Sequence, residues 1–354
     1  MLDKLKEIDA QILALAKNRC RVLSQWHDQA AKSEVDFVTL RAAQTASVGA
    51  DLATASVGAD LAADGFENRL QRFVTGLTYQ TAIRRNSIAY LGPEFSYSYS
   101  AAAKYFGDID GLQAVNTIGA VFEEIVNANS TYGVVPIENS TDGRIVDTLT
   151  MFIRNPIRIC GEILLPIHHN LLSHCNRKDI REVYSKPQAL SQCREWLNNH
   201  LPEARWVEVA STSVAAKIAS TTPYAAAVAS REAGIHHGLD IVAESIEDNK
   251  DNVTRFVIIG DEKVATTGDD KTSLMFQVPH QPGALANVMV LFRDNGLNLT
   301  WIESFPVPGK SNEYFFFVEL EGHESQPNVG AALNSLAKTA LRLDFLGSYP
   351  KARS

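Results

Sequence analysis

Apolar positions in the first 33 residues recur at alternating spacings of three and four, which is typical of a helix that packs on another helix. This stripe consists of Leu5, Ile8, Ile12, Leu15, Arg19, Val22 and Trp26. Arg19 is its one charged member. An arginine in such a place commonly reaches solvent or pairs with a carboxylate, and the alternative is a cation that points into a helical bundle to hold an anion. The helix alone favours the first interpretation.

Two further features complete an all-α N-terminal segment over 1–86. The nonapeptide TASVGADLA occurs at 45–53 and again without change at 54–62. It is too short for a solenoid unit, so we interpret it as a duplicated connector or a frayed helix. A second helix is predicted over about 66–85.

The pattern changes at Ser87, where short apolar runs begin to alternate with helical stretches. This alternation predicts an α/β domain over 87–262 with mainly parallel sheets and helices on both faces. Two such halves predict two lobes with a cleft between them. After a polar linker at 261–270, the order strand–helix–strand–strand, with a last helix near 328–342, predicts a small α+β domain over 271–348.

Length and composition fit this three-part organisation and narrow the function classes. The 354 residues contain 45% hydrophobic and 21% charged residues, as expected of globular domains. The 33 Lys and Arg against 41 Asp and Glu leave a net charge of −8. Nucleic-acid and anionic-membrane partners usually require a basic excess, so neither is expected.

A cytoplasmic location is predicted from the membrane-span and targeting patterns that the sequence lacks and from its cysteines. No apolar run approaches the roughly 18–20 residues of a membrane span, and the first residues resemble neither a secretory signal nor a transit peptide. The cysteines are widely scattered, which favours free thiols in a reducing cytoplasm over disulfides or a zinc site. They are Cys20, Cys160, Cys175 and Cys193.

Three segments of the α/β region share one construction, in which a strand leads through Ser, Thr, Asn or Gly into a helix. They are 92–102, 136–149 and 211–220. Each places hydroxyls and free backbone N–H groups at a helix N-terminus, which suits an anion, although plain N-capping explains any one of them. Three that meet at a cleft would suit a small ligand with more than one carboxylate.

Other side chains near predicted strand ends extend this candidate site. Glu138 and Asn139 end one strand, where a carboxylic acid and an amide can reach a ligand. Thr254 and Arg255 begin another, and Arg255 is suited either to a substrate carboxylate or to a structural ion pair. The neighbouring histidine pairs and the absence of nucleophile, P-loop or dinucleotide motifs predict no metal site and no covalent chemistry.

Five motifs follow one another from about residue 87 onward, and together they resemble the prephenate dehydratase family. They read YLGPEFSYSYSAA, VVPIENSTDGRIVD, YSKPQALSQC, STSVAA and NVTRF. GALANVMVLF, NLTWIESFP and EYFFFVELEGH are similar to the C-terminal ACT domain of that family, a phenylalanine-sensing module. IDAQILALAKNR in the first helix is similar to the helical chorismate mutase domain fused to many members. The resemblance implies a two-lobed catalytic domain like periplasmic binding proteins and a ferredoxin-like ACT domain.

The resemblance implies that prephenate loses its ring hydroxyl as water and its ring carboxylate as CO2 to give phenylpyruvate. No cofactor is implied, because aromatisation drives the reaction and the enzyme mainly orients substrate and assists the leaving hydroxyl. Thr254 is implied as the hydroxyl at the leaving group, with Glu138 as the stronger acid. The implied substrate-positioning residues are Asn139, Ser96, Ser98, Gln188, Thr212 and Ser213, with Arg255 as a carboxylate partner.

The sequence departs from the family pattern at four motif positions. Phe95 and Tyr99 replace a glycine and a histidine of the first motif, and Lys186 stands where the family usually has histidine. A bulky Phe95 excludes any backbone conformation that only glycine tolerates, so we expect a differently shaped loop. Phe305 replaces the arginine of the ESRP motif in the ACT domain. The remaining elements of a phenylalanine pocket are Gly283, Ala284, Leu285, Glu303 and Ser304, so L-phenylalanine is the expected effector.

The N-terminal segment carries less of its family's pattern. Arg19 matches one cation of the mutase site, but Leu2 and Ala30 stand about where an arginine and a lysine are expected. We therefore expect residues 1–86 to dimerise or scaffold the chain with little or no mutase activity. A homodimer or higher oligomer is expected. Two alternatives to prephenate dehydratase stay open: arogenate dehydratase, which shares the motifs, and a non-catalytic phenylalanine-sensing protein.

Overall fold

The computed structural model describes residues 87–107 and 111–352 of the chain. Arg19, both predicted N-terminal helices and the duplicated nonapeptide lie outside the described residues. Within the described part, no helix is both long and apolar enough to cross a bilayer.

Fifteen strands and nine α-helices are found in the described ranges. The strands are β1 (Ile88–Leu91), β2 (Leu112–Val115), β3 (Tyr132–Asn139), β4 (Gly143–Arg144), β5 (Arg158–Pro166), β6 (Asn170–Ser173), β7 (Glu182–Ser185), β8 (Arg205–Glu208), β9 (Ala225–Ala229), β10 (Asp240–Ala243), β11 (Val253–Gly260), β12 (Asp270–Gln277), β13 (Leu299–Pro306), β14 (Tyr314–Glu321) and β15 (Arg342–Pro350). The helices are α1 (Tyr97–Phe106), α2 (Ile118–Val126), α3 (Val146–Arg154), α4 (Pro187–Gln192), α5 (Arg194–His200), α6 (Thr212–Ala219), α7 (Arg231–His236), α8 (Ala284–Asp294) and α9 (Pro327–Thr339). A 3₁₀ turn spans Arg177–Asp179.

Two separate sheets form the two lobes of the α/β region. The first lobe has the strand order β2-β1-β3-β11-β5, with the short β4 paired to β3. The second lobe has the order β10-β6-β9-β7-β8. The central strands β3 and β11 are almost fully buried, which explains their apolar runs without alternation over 134–137 and 256–259.

The prediction of mainly parallel sheets was wrong, because both sheets are mixed. In the first lobe β1 runs parallel to β2 and β3, whereas β11 is antiparallel to β3 and to β5. In the second lobe β6 is antiparallel to β9 and β10. The chain enters the second lobe through β6 and returns through β11 without a crossover helix, and such direct connections insert antiparallel strands.

The two connections between the lobes lie side by side. The backbone N–H of Ile167 donates to the carbonyl of Asn252 at 2.8 Å, and that of Ile246 donates to the carbonyl of His169 at 2.7 Å. This pairing holds the two connections against each other.

The C-terminal domain has the order β-α-β-β-α-β, with a sheet β13-β14-β12-β15. The predicted last helix is α9, and the strand β15 that follows it was missed by the sequence analysis. Helices α8 and α9 cover one face of the sheet. The other face packs on the first lobe, where Met275, Phe317 and Tyr349 share a buried cluster with Ile159 and Val257. This domain therefore covers part of one face of the first-lobe sheet.

Candidate active site

A cavity of about 450 Å³ lies between the two lobes. First-lobe residues line one wall and second-lobe residues the other, with Ile167 and His169 of a connecting segment between them. This is where a two-lobed α/β protein is expected to hold a small molecule.

Several helices begin at this cavity. Ser96, Thr117 and Ser211 cap α1, α2 and α6, and their side-chain oxygens accept backbone N–H bonds at 3.3, 3.0 and 3.1 Å. Residues at the start of α3 and α4 also line the wall. The three predicted strand–turn–helix segments thus meet at one cavity, and the α2 segment joins them although the sequence analysis did not single it out. Helix N-termini carry partial positive charge, so the cavity favours an anionic ligand.

Thr254 is held at the cavity by a fixed amide. The Asn139 side-chain oxygen accepts the backbone N–H groups of Thr141 and Asp142 at 3.0 and 3.1 Å, which assigns the orientation of the amide. Asn139 Nδ2 then donates to Thr254 Oγ1 at 2.8 Å and to Asn252 Oδ1 at 2.9 Å. Because the Thr254 oxygen accepts this bond, its own proton can be donated into the cavity. Both side chains are buried.

A second chain of hydrogen bonds contains His169, which the sequence analysis missed as a cavity residue. Asp142 Oδ2 accepts from Gln192 Nε2 at 2.8 Å, so the Gln192 oxygen faces His169 Nε2 at 2.9 Å. Asn252 Nδ2 also donates to that oxygen at 3.1 Å. We therefore assign the ring proton to Nε2, which leaves Nδ1 as an acceptor. The Tyr97 hydroxyl lies 2.9 Å from Nδ1 and 2.9 Å from the carbonyl oxygen of His168, so its one proton is shared between these two acceptors. Burial lowers the pKa of His169 and keeps the ring neutral.

We expect this buried histidine to make the protein less stable in acid. Burial lowers its pKa in the folded state, so between that value and the unfolded value of about 6.5 the unfolded chain binds more protons. The free energy of unfolding therefore falls as the pH drops below about 6.5. Chemical denaturation at pH 7 and pH 5 is expected to show a smaller loss for His169→Asn than for the wild type. Equal losses in the free energy of unfolding for the two proteins would contradict the lowered pKa assigned to His169.

Arg255 and Glu138, which the sequence analysis directed to substrate, do not line the cavity. Successive residues of a strand point to opposite faces, so Thr254 faces the cavity and Arg255 faces away from it. Arg255 is bonded to three carboxylates, one of them that of Glu138, with its Nε 3.2 Å from Glu138 Oε2. The expected placement of these two side chains against the substrate is therefore corrected.

The remaining predicted positioning residues divide into two groups. Ser96, Ser98, Gln188 and Thr212 line the cavity. Ser213 does not, and instead its hydroxyl donates to the carbonyl of Glu94 at 2.7 Å, which ties α6 to the loop before α1. Ser213 thus joins the lobes and does not face the ligand space.

Phe95 adopts a φ of 62°, in the left-handed region that glycine prefers, which costs a bulky residue about 1–2 kcal/mol. The differently shaped loop expected at this position stays a prediction. The Phe95 ring stacks on His236 at a centroid distance of 3.9 Å and lies 5.1 Å from Tyr99. Since His236 belongs to the second lobe, the side chain joins the two lobes and offsets the strain.

Formal charge at the cavity is sparse. Among the described residues that line it, Lys186 is the one cation of the lysine or arginine type and Asp147 the one carboxylate. Lys186 comes from the second lobe and Asp147 from the first. An anionic ligand would therefore be held by Lys186, hydroxyls and helix N-termini rather than by a cluster of arginines.

The predicted phenylalanine-pocket residues lie on two elements of the C-terminal domain. Gly283 precedes α8 with a φ of 80°, a left-handed conformation that suits glycine, and Ala284 and Leu285 begin the helix. Glu303 and Ser304 lie on β13, and Glu303 is 3.0 Å from Arg144 of β4 in the first lobe.

The fold and the cavity define a two-lobed α/β binding or catalytic domain with a C-terminal βαββαβ domain. Residues 88–264 match the family model described as prephenate dehydratase, and residues 272–338 match that of the ACT domain. The chain belongs to the prephenate dehydratase family.

Two named prephenate dehydratases agree with this assignment, and a third similar protein is described by a different activity. A bifunctional chorismate mutase/prephenate dehydratase of Aquifex aeolicus is 42% identical over 270 residues, which cover 76% of this chain and 75% of that protein. A prephenate dehydratase from Arthrobacter aurescens, solved in complex with L-Phe, is 31% identical with a TM-score of 0.69 and covers 75% of this chain and 89% of that one. GqqA, described as a quorum-quenching acylase, is 26% identical with a TM-score of 0.68 and covers 75% and 98% of the two chains.

Proposed function

We propose that this chain is a prephenate dehydratase that converts prephenate to phenylpyruvate, CO2 and water. The observation that carries the proposal is the Thr254 hydroxyl, which accepts a hydrogen bond from Asn139 and is left to donate its proton into a cavity ringed by helix N-termini. Prephenate is a dicarboxylate with a ring hydroxyl as leaving group, and this cavity offers donors for all three groups.

The reaction requires two bonds to break in the ring. As the ring carboxylate leaves as CO2, the electron pair of that carbon–carbon bond moves into the ring, and the carbon–oxygen bond to the hydroxyl breaks on the opposite side. The leaving hydroxide takes up one proton, supplied in the net reaction by solvent, and departs as water. Thr254 donates a hydrogen bond to this oxygen as negative charge develops on it, which is the role of a general-acid or electrostatic donor.

The carboxylates of the substrate need partners other than Arg255. Lys186 and the N-termini of α1, α2 and α6 supply positive charge and backbone donors around the cavity. Asn139 orients the Thr254 hydroxyl, and Ser96, Ser98, Gln188 and Thr212 then orient the ring and its side chain. Such positioning in a closed space supplies a large part of the rate enhancement of a unimolecular elimination.

Regulation by L-phenylalanine through the ACT domain is part of this proposal. Support comes from the Arthrobacter aurescens relative solved with L-Phe and from the pocket residues of β13 and α8. We take 87–262 as the catalytic domain and 271–348 as the regulatory domain, and we propose closure of the two lobes on substrate in the manner of periplasmic binding proteins. We also propose that the protein is a cytoplasmic homodimer or higher oligomer. Residues 1–86 are then a scaffold with little or no mutase activity.

Comparison of two substrates tests the proposal. The purified full chain is expected to convert prephenate with a higher kcat/KM than arogenate, because the Lys186 ammonium favours the 2-oxo acid side chain over one that carries its own ammonium. Formation of phenylpyruvate and of phenylalanine is followed separately. A higher kcat/KM for arogenate would replace prephenate by arogenate as the substrate, and conversion of neither would refute the dehydratase.

A further inference from the structure

A buried ionic cluster lies directly behind the cavity, on the reverse face of β3 and β11. Its members are Arg255, Glu138, Glu162, Lys271 and Glu319. Three of them belong to the first lobe, whereas Lys271 and Glu319 belong to β12 and β14 of the ACT domain. The cluster therefore joins the catalytic lobe to the regulatory domain.

Arg255 is the centre of this cluster. It is bonded to Glu319 of the ACT domain, and its guanidinium lies 3.3 Å from Glu162 and 3.1 Å from Glu138. The side chains of Glu162 and Glu319 are only 2% and 1% exposed, so neither carboxylate can exchange this partner for water. Burial acts to lower the pKa of Arg255, but the Glu319 carboxylate overcomes it and raises the pKa.

A second ACT residue holds the same guanidinium. The Trp301 ring of β13 lies beneath it, with the Arg255 Cζ 5.2 Å from the ring centroid, a cation–π distance. Arg255 thus contacts two side chains of the regulatory domain and two of its own lobe. These are Glu319 and Trp301, and Glu138 and Glu162. A planar guanidinium held in this way has little rotational freedom.

The strand register connects this cluster to the reacting side of the cavity. Thr254 pairs with Asn139 and Arg255 pairs with Glu138, so the cavity pair and the ionic pair are adjacent rungs that face opposite ways. The register shifts immediately after Arg255, between it and Phe256. The extra residue of this bulge is Ile137 of β3, whereas the ladder of β11 with β5 continues without a shift from Val253 to Ile258.

We propose that Glu319 of the ACT domain, assisted by Trp301, is a positioning residue for the dehydration, because it fixes Arg255 and thereby the direction in which Thr254 presents its hydroxyl. The proposal rests on the function proposed above. Glu319 does not line the cavity. It acts on the reaction through Arg255, which is the backbone neighbour of Thr254 in β11. It follows that a displacement of β14 is transmitted to the catalytic hydroxyl by this contact.

The variant Glu319→Gln tests the proposal, with Glu321→Gln as the matched control on the same strand. The substitution keeps the size of the side chain but removes the charge that holds Arg255. Because misplacement of a reacting group by about 1 Å can cost up to 10²-fold, kcat for prephenate is expected to fall about tenfold or more with KM within about twofold. Glu321, which pairs with Lys351 at the surface, is expected to give wild-type kcat when replaced.

Amide hydrogen exchange without substrate tests the same claim independently of turnover. Glu319→Gln is expected to raise exchange in peptides that contain 138–140 and 253–256, whereas Glu321→Gln leaves them unchanged. If the wild type does not turn over prephenate, the proposed function fails, and this exchange pattern still decides the positioning role. Wild-type exchange and, in an active enzyme, wild-type kcat in Glu319→Gln would overturn it.

A milder variant covers the case in which Glu319→Gln does not fold. Trp301→Leu removes the cation–π contact and leaves all charges in place. It is expected to lower kcat by about threefold to tenfold, to leave KM near its wild-type value and to raise exchange in the same peptides, since a cation–π contact contributes about 0.5–2 kcal/mol. Unchanged kcat and exchange in this variant would overturn the proposal.

Discussion

Replacement of Thr254 by valine is expected to lower the kcat for prephenate by about 10²–10⁴-fold, the range typical of a lost proton-transfer or hydrogen-bond donor at a leaving group. Valine has nearly the shape of threonine, so the wall of the cavity keeps its form. What is lost is the hydroxyl that Asn139 orients at 2.8 Å and that donates into the cavity. Steady-state phenylpyruvate formation measures the effect.

Two comparisons separate this chemical effect from a structural one. Thr254→Ser keeps a hydroxyl that Asn139 can hold and is expected to retain most of the activity. The loss of one hydrogen bond in Thr254→Val costs about 1–3 kcal/mol of stability, so the variant is expected to stay folded in thermal denaturation. A folded Thr254→Val enzyme with near wild-type kcat would remove Thr254 from the mechanism.

Replacement of Arg255 by methionine is expected to lower the free energy of unfolding by about 3–5 kcal/mol. The variant leaves Glu162 and Glu319 buried with Lys271 as their remaining cation. A buried charge that loses its partner pays most of its desolvation cost without compensation. Chemical denaturation of the wild type and the variant at one pH measures the difference.

Arg144→Met is the matched control for this prediction. Arg144 also joins the first lobe to the ACT domain through a carboxylate, that of Glu303 at 3.0 Å, but its side chain is 42% exposed. Exposed ion pairs contribute about 0–1 kcal/mol, so this variant is expected to differ little from the wild type. Equal losses in the free energy of unfolding for Arg144→Met and Arg255→Met would contradict the claim that burial makes the loss of Arg255 more destabilising.

The elements around the cavity could be predicted from sequence because their signals are local. Ser96 and Ser211 stand directly before helical stretches, and a capping hydroxyl requires only the neighbouring residues. The same holds for the glycine-led start of α8. What the sequence could not supply was the direction of strands, because β6 and β11 owe theirs to the path of the chain between lobes.

The candidate site residues likewise divide into features that the local sequence predicts and features that depend on the tertiary structure. Thr254 and Arg255 are neighbours on one strand, so alternation alone requires that they face opposite sides. The sequence cannot say which of them faces the cavity, because that depends on which domain covers each side of the sheet. His169 was missed for a related reason, since its partners Tyr97 and Gln192 come from two different lobes.

The most direct test of the proposed dehydration is the yield of phenylpyruvate and CO2 from prephenate with the purified full chain at a catalytic concentration. We expect many turnovers per protein molecule, with one phenylpyruvate and one CO2 for each prephenate consumed. Calorimetric binding of prephenate or L-phenylalanine without any phenylpyruvate formation would contradict it and would favour a sensing protein.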